Sequence, residues 1–554
     1  MQSLNLSNKV VFIGAGVVAT GVLLASLVYH RKISKYVRTP LFISPDSFRL
    51  EDLVDHLRQQ ILTASRDLTR FSRPVQHDLF TPEPVSPQQD AGNKSPEFDE
   101  TSVLQSGETL VYLKPANLAD TFGKKEYLTP LLRKFDDLVA GEGFLDQTSI
   151  ATQTVWRDVG QKNKIFYRYL RAGPREKLYY DPISVVPAVV TCGGLCPGLN
   201  NVIRAISLML LEYGVPSVWG IKNGYLGICD KSAWLELTRE NVHTIHQSGG
   251  SFLVSNRGND TVEKMVDALI KRGVNMLFIV GGDGTHRGAA AMEEEFIKRR
   301  YECSIVGIPK TIDNDIPMID NSFGFGTAVS EAVRAIQAAF VESTGAPKCI
   351  GLVKLMGRRS GFVTLYAVCS SALVDVALLP EMDISLPKVL RHIKHLIDTK
   401  GHCVVVVAEG CGGTMMQADP TKKDAGGNIK LPDVGVFLKD QIMDFAKKNA
   451  CDWTVKYIDP TYMIRAVPAN AYDSVYCHVL AQNAVHGAMA GYTGFSCCKC
   501  DQRYVMLPFQ HLTSRPPRQV NTGGRWYARM IMATEQPNLA PPGSVKRKSS
   551  FLLT

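Results

Sequence analysis

Met276-Leu277-Phe278-Ile279-Val280-Gly281-Gly282-Asp283-Gly284-Thr285 decides how this chain is read. Five apolar residues in a row predict a strand buried on both faces. The glycines that follow let backbone N–H groups approach anionic oxygens with no Cβ between. Asp283 adds a hard carboxylate suited to Mg²⁺, and Thr285 a hydroxyl. The pattern reads as a cradle for the phosphates of a nucleotide. A plain glycine turn with a solvated Asp is the rival reading.

Similar apolar runs recur at 185–191, 304–308, 350–355 and 403–408, with helical patterns between them. That alternation predicts an α/β fold with parallel strands and helices on both faces. Ligands then bind beyond the carboxyl ends of the strands, and motifs stand at those ends. Gly193-Gly194-Leu195-Cys196-Pro197-Gly198 follows one strand and opens a helix with Val202, Ile203, Ile206, Met209 and Leu210 on one face. A glycine turn at a helix N-terminus is an anion site.

Pro309-Lys310-Thr311-Ile312-Asp313-Asn314-Asp315 follows another strand. If the stretch is extended, its two carboxylates point the same way. One can accept a proton while the other orients the group or helps hold a cation. A capping Asx turn is the alternative. Met356-Gly357-Arg358-Arg359 offers guanidinium groups for bidentate phosphate recognition. Glu409 closes a further strand, and Lys456, Tyr462 and Arg465 supply donors suited to a phosphorylated sugar.

The net charge of +9 is modest for 554 residues and is partly terminal. No basic face interleaved with aromatics marks a nucleic-acid partner. Thirteen scattered cysteines read as reduced thiols. Cys497-Cys498-Lys499-Cys500 lacks a second ligand pair of zinc spacing, so buried or loop thiols are expected.

Residues 10–29, from Val10 to Tyr29, carry no charge, and four Lys/Arg follow within ten residues. They read as a transmembrane helix that leaves the bulk of the chain on the cytoplasmic face. The rival is a targeting segment for a plastid or other organelle, because no acidic residue precedes Asp46. Residues 46–80 carry a short amphipathic helical pattern, and 81–96 a proline-stiffened linker. The tail, residues 536–554, is basic and expected to be mobile.

Five ordered motifs, at 193–200, 281–285, 309–315, 356–358 and 462–465, resemble ATP-dependent 6-phosphofructokinases of the plant and kinetoplastid type. The resemblance runs from about Arg171 to about Trp526. It implies two doubly wound, Rossmann-like parallel-sheet lobes facing each other: residues 185–323 with 465–500 for ATP, and 324–464 for fructose 6-phosphate. Residues 1–45, 46–110, 111–184, 501–535 and 536–554 then form the anchor or leader, a linker, an N-terminal subdomain, a C-terminal segment and the tail.

Roles follow from the same resemblance. Asp313 is the general base toward the C1 hydroxyl of fructose 6-phosphate, with Thr311 and Arg358 beside it in the catalytic set. Gly194, Arg257, Gly258, Gly282, Asp283, Gly284 and Thr285 contact ATP, and Asp283 binds Mg²⁺. Thr311, Asp313, Asp315, Met356, Gly357, Arg358, Glu409, Lys456, Tyr462 and Arg465 bind the sugar phosphate. Gly284 and Lys310 set the phosphoryl donor. Pyrophosphate-using relatives carry Asp at the first position, so glycine favours ATP, whereas they share the lysine. At the position of the bacterial arginine that reaches the neighbouring subunit's sugar site stands Cys349, beside Lys348. A homo-tetramer is implied. The alternatives are pyrophosphate as donor and, more remotely, a membrane-anchored lipid kinase sharing Gly-Gly-Asp-Gly-Thr.

Overall fold

The computed structural model describes residues 101–544, apart from 104–108, 133–142, 147–148, 153–164, 417–420 and 423–430. Residues 10–29, the 46–80 pattern and the 81–96 linker lie outside the described residues. Among those described, no helix is long and apolar enough to cross a membrane.

The apolar runs become strands because both their faces are covered. Pro187–Thr191, Met276–Gly281, Ser304–Pro309 and Phe495–Cys500 lie parallel in one sheet. Val280 stands opposite Ile308 on one side and Thr191 on the other. In-register parallel pairing brings the loops after these strands to one edge. Helix Leu199–Tyr213 packs its apolar face inward, with Val202, Ile203, Ile206 and Leu210 fully buried.

The sheet is mixed, where purely parallel pairing was expected. Arg503–Pro508 folds back antiparallel on Phe495–Cys500, and Ile165–Arg171 pairs antiparallel with it. Strands at 109–113 and 150–152 extend the sheet further. Residues assigned by sequence to an N-terminal subdomain and a C-terminal segment thus widen the sheet of the first lobe. The hairpin turn is Asp501-Gln502, both at positive φ (47° and 63°). Each amide is taken by the Asp320 carboxylate at 2.8 Å. That carboxylate offsets part of the cost of two non-glycine residues at positive φ by satisfying both turn amides.

The second sheet has four parallel strands in the order Val376–Leu378, His402–Ala408, Cys349–Leu355 and Thr454–Ile458. Ile350, Leu352, Val405 and Val407 pack with helices Leu386–Lys400 and Val434–Lys448. Val353, Leu355, Val404 and Val406 pack on the side of Phe325–Thr344 and Phe362–Ser371. Period-two alternation between two buried faces is why these strands read as unbroken apolar runs.

The start of the tail is not free. Gln536 is buried and bonds both the N–H and the C=O of Ala377, at 2.7 and 3.1 Å. Leu539 is buried in the core of the second sheet. The expected mobile tail therefore does not begin at 536; residues 545–554 lie outside the described set.

Helix Phe325–Thr344 begins on Gly324 at φ 83°. A Cβ there would stand 2.6 Å from the Pro197 carbonyl oxygen and still nearer the Cys196 Sγ. Left-handed strain and the clash act together, so Gly324→Ala is expected to lower unfolding free energy by at least ~2 kcal/mol, read by urea titration.

Candidate active site

Three loops from the first sheet's carboxyl edge line one cleft of about 500 Å³. They are Cys192 to Gly194, Gly282 to Thr285, and Lys310 with Thr311 and Asp315. Arg257 and Gly258 close another side. The loop before them is pinned: Asn256 accepts from the Gly193 N–H at 2.8 Å, and Ser255 donates to the Gly193 carbonyl at 2.7 Å. Helix Asp283–Lys298 starts on Gly282, so its unpaired N–H groups open into this cleft. The start of Leu199–Tyr213 differs from expectation. Gly198, its cap, is covered by Cys477 and Phe323, so the Gly193-Gly194 turn lines the cleft and that helix end does not.

Cations converge on the turn. Lys310 Nζ donates to the Gly194 carbonyl at 2.6 Å. A Gly194 Cβ would meet guanidinium nitrogens of Arg257 at 3.4 Å and Arg465 at 3.8 Å. Burial pushes the Lys310 ammonium below its usual pKa, and the two arginines push it the same way. A polyanion in the cleft relieves that repulsion. Asp283 accepts from Arg287 at 2.6 Å and remains 43% exposed. One carboxylate at a phosphate cradle fits Mg²⁺, which prefers one or two carboxylates together with phosphate and water. Among the described residues no group of three or more metal-ligating side chains exists.

The 309–315 stretch is a turn, not extended. Asn314 takes φ 54°, and its side chain accepts from the Ser322 N–H at 2.9 Å. The turn sets the carboxylates apart in role. Asp315 Oδ1 accepts the Thr311 hydroxyl at 2.8 Å. Asp313 Oδ2 accepts the Arg358 N–H at 3.2 Å, while its Oδ1 is shielded from water and has no hydrogen-bond partner. Burial first, then the Asp315 and Glu409 carboxylates, raise the Asp313 carboxyl to about 7.

That 3.2 Å bond joins the two sheet edges. Met356, Gly357 and Arg358 leave the end of Cys349–Leu355, and Gly357 lies at φ 129°, where a Cβ would strike the Ser360 carbonyl. Ser360 Oγ returns to the Asp313 carbonyl at 3.1 Å. Glu409 bonds the Leu355 carbonyl through its N–H at 2.9 Å. Burial raises its pKa, while Arg358, Lys354 and Arg465 oppose the rise. Asp313, Arg358, Glu409 and Arg465 thus share one electrostatic neighbourhood; none of them lines the cleft itself, which their chain neighbours Thr311, Asp315 and Arg359 do.

A family profile described as Phosphofructokinase matches residues 187–488. The chain belongs to the phosphofructokinase family. It is 48% identical over 372 residues to "ATP-dependent 6-phosphofructokinase 5, chloroplastic" of Arabidopsis thaliana, covering 66% of this chain and 69% of the relative. It is 44% identical to "ATP-dependent 6-phosphofructokinase 1" of the same plant, covering 74% and 88%. A Borreliella burgdorferi relative, "ATP-dependent 6-phosphofructokinase", is 38% identical over 76% and 96%. The fold is similar to the crystal structure of a pyrophosphate-dependent phosphofructokinase from Marinobacter aquaeolei, with TM-score 0.53, 17% identity, and 65% and 93% coverage.

Not every family residue named from sequence joins the cluster. Lys456 faces away: its Nζ is 3.8 Å from Glu342, near the far end of the helix that Gly324 starts. Tyr462 is 77% exposed, with Arg465 5.1 Å above its ring. Lys354 is held by Asp459 at 2.7 Å and Asp433 at 3.0 Å. Cys497 faces one core and Cys498 and Cys500 another, as buried thiols.

Sequence reasoning missed the 512–520 stretch. Leu512, Arg515 and Pro517 line the cleft. Arg518 clamps the 313–315 turn, its N–H on the Asp315 carbonyl at 2.7 Å and its guanidinium on the Asn314 and Ile319 carbonyls. No motif marks these residues. A buried arginine donating to main-chain carbonyls leaves no local pattern.

Because folding raises the Asp313 pKa, its charge opposes folding. The penalty is complete above about 7 and absent below the model-peptide value of 3.8. Asp313→Asn is expected to unfold at higher urea than wild type at pH 8, with the gap closing toward pH 4.

Proposed function

We propose that the chain transfers the γ-phosphoryl group of MgATP to the C1 hydroxyl of D-fructose 6-phosphate, giving fructose 1,6-bisphosphate and ADP. What carries the reading is the Asp313 Oδ1 atom: a buried, unpartnered carboxylate oxygen between a cationic phosphate cradle and a second loop set rich in arginine.

Asp313 accepts the C1 hydroxyl proton as the oxygen attacks the γ-phosphorus. The β–γ bridging oxygen departs with ADP. A carboxyl raised to about 7 is matched to that task near neutral pH. Thr311 and the Arg358 N–H hold Asp315 and Asp313 in place. Arg358 and Arg465 neutralise charge on the transferring group and the sugar phosphate, which is most of what phosphoryl transfer asks of a protein. Asp283 would hold Mg²⁺, which when bound would supply charge neutralisation on the donor phosphates. Glu409 and Met356 border the sugar. Lys456, 3.8 Å from Glu342, is left out of this set.

ATP is the donor on this reading. The nearest atom to a Gly284 Cβ position is an Arg287 nitrogen at 4.0 Å, which leaves room for an α-phosphate. Gly284→Asp fills that room with a carboxylate, so ATP turnover should be lost; unchanged ATP kinetics contradict the donor assignment. Asp313→Ser should bind fructose 6-phosphate near-normally with kcat lower by ~10²–10⁴. Coupled assays with ATP, pyrophosphate and a diacylglycerol discriminate the alternatives.

Residues 10–29 anchor this activity to the cytoplasmic face of a membrane. The rival, a cleaved organelle leader, gains weight from the chloroplastic relative. Carbonate extraction of a fusion of residues 1–45 to a fluorescent reporter separates them: retention supports the anchor, and release after shortening supports the leader.

A further inference from the structure

The Gly282 carbonyl receives two donors from one residue. The His286 N–H reaches it at 3.1 Å, as helix geometry requires. The His286 Nδ1 also stands 2.9 Å from it. A carbonyl only accepts, so Nδ1 carries the proton. His286 is fully buried, and burial pushes its imidazole below the usual pKa, which keeps the ring neutral. Nε2 is then an acceptor. It is buried and has no hydrogen-bond partner.

One other buried polar atom is in the same condition nearby. Ser496 Oγ has no partner, and its residue is fully buried. Nε2 and Oγ each lie 2.6 Å from the point that a Gly307 Cβ would occupy. Gly307 is in the strand that runs into Lys310 and Asp313, and Ser496 in the strand beside it, Gly307 opposite Ser496. Two orphaned polar atoms of complementary sense thus share the space left by an absent side chain. The Ser496 hydroxyl can donate, and the ring nitrogen can only accept.

We infer that His286 is a positioning residue for the nucleotide loop, with Ser496 as its support. The peptide unit from Gly282 to Asp283 is rigid and planar, and its C=O and N–H point oppositely. Tying the carbonyl back to the imidazole aims the Asp283 N–H outward, into the phosphate cradle. Ser496, turned to donate to Nε2 or joined to it through one water, fixes the tautomer and the ring plane. The helix hydrogen bond alone leaves that peptide free to tilt at the helix's first turn. The device acts on the donor nucleotide and leaves the sugar site alone. Glycine at 307 is what admits it.

The inference rests on reading residues 281–285 as the nucleotide site, and its test separates the two. KM for MgATP, KM for fructose 6-phosphate and kcat are measured for His286→Ala, His286→Asn, Ser496→Ala and, in parallel, Gly284→Asp. An asparagine amide nitrogen falls where Nδ1 stood. The expected result is an MgATP KM raised about tenfold in H286A, the scale of one lost hydrogen bond. H286N should recover most of it, S496A should show a smaller rise, and the fructose 6-phosphate KM should stay at the wild-type value throughout. Should H286A fail to fold, S496A and H286N decide. An MgATP KM unchanged in S496A, or both KM values raised alike, overturns the inference. If G284D too leaves MgATP kinetics unchanged, the site reading itself has failed.

Discussion

The arrangement depends on one carboxylate oxygen denied a partner. Asp313 Oδ1 is dry and unbonded, while Oδ2 is held by the Arg358 amide from the facing sheet. An unsatisfied buried carboxylate is costly. Two further carboxylates nearby raise the cost by resisting its ionisation. Such a group persists only where the surroundings over-determine it. Here the turn is fixed by Asn314 at positive φ, by Ser322 and Ser360, and by Arg518 from far along the chain. The strain is local, and the rigid sheets on either side absorb it.

The second element is the cationic counterpart. Lys310, Arg257 and Arg465 gather at a glycine turn whose lack of side chains lets them approach. Like charges at this spacing disfavour the empty cleft and favour an anion in it. Asp313 and Glu409 lie with Arg358, Lys310 and Arg257 gather at Gly194, and Arg465 reaches both groups.

Much of this was legible in the chain. The runs at 276–280, 304–308 and 403–408 became buried strands because fully covered parallel strands carry no polar alternation. Gly-Gly-Asp-Gly-Thr, the Asp313 turn and the Met-Gly-Arg loop sit at strand ends as their spacing implied. What was not legible depended on distant partners. The Asp501-Gln502 turn has no glycine, and its two amides are capped by Asp320, 181 residues earlier. Leu539 and Gln536 look like tail residues until the second sheet supplies their pocket. Lys456 belongs to a donor-rich motif, yet strand alternation turns it toward Glu342. Between the extended and the turned readings of Asp-Asn-Asp the turn prevails, because Asn314 tolerates the left-handed region and Ser322 satisfies its side chain.

A crystal structure with a non-hydrolysable MgATP analogue and fructose 6-phosphate bound together tests the central claim most directly. The account predicts the sugar C1 hydroxyl within about 3 Å of Asp313 Oδ1, with the γ-phosphorus on the hydroxyl's far side. A C1 hydroxyl placed elsewhere, with Oδ1 still facing only protein, would contradict it.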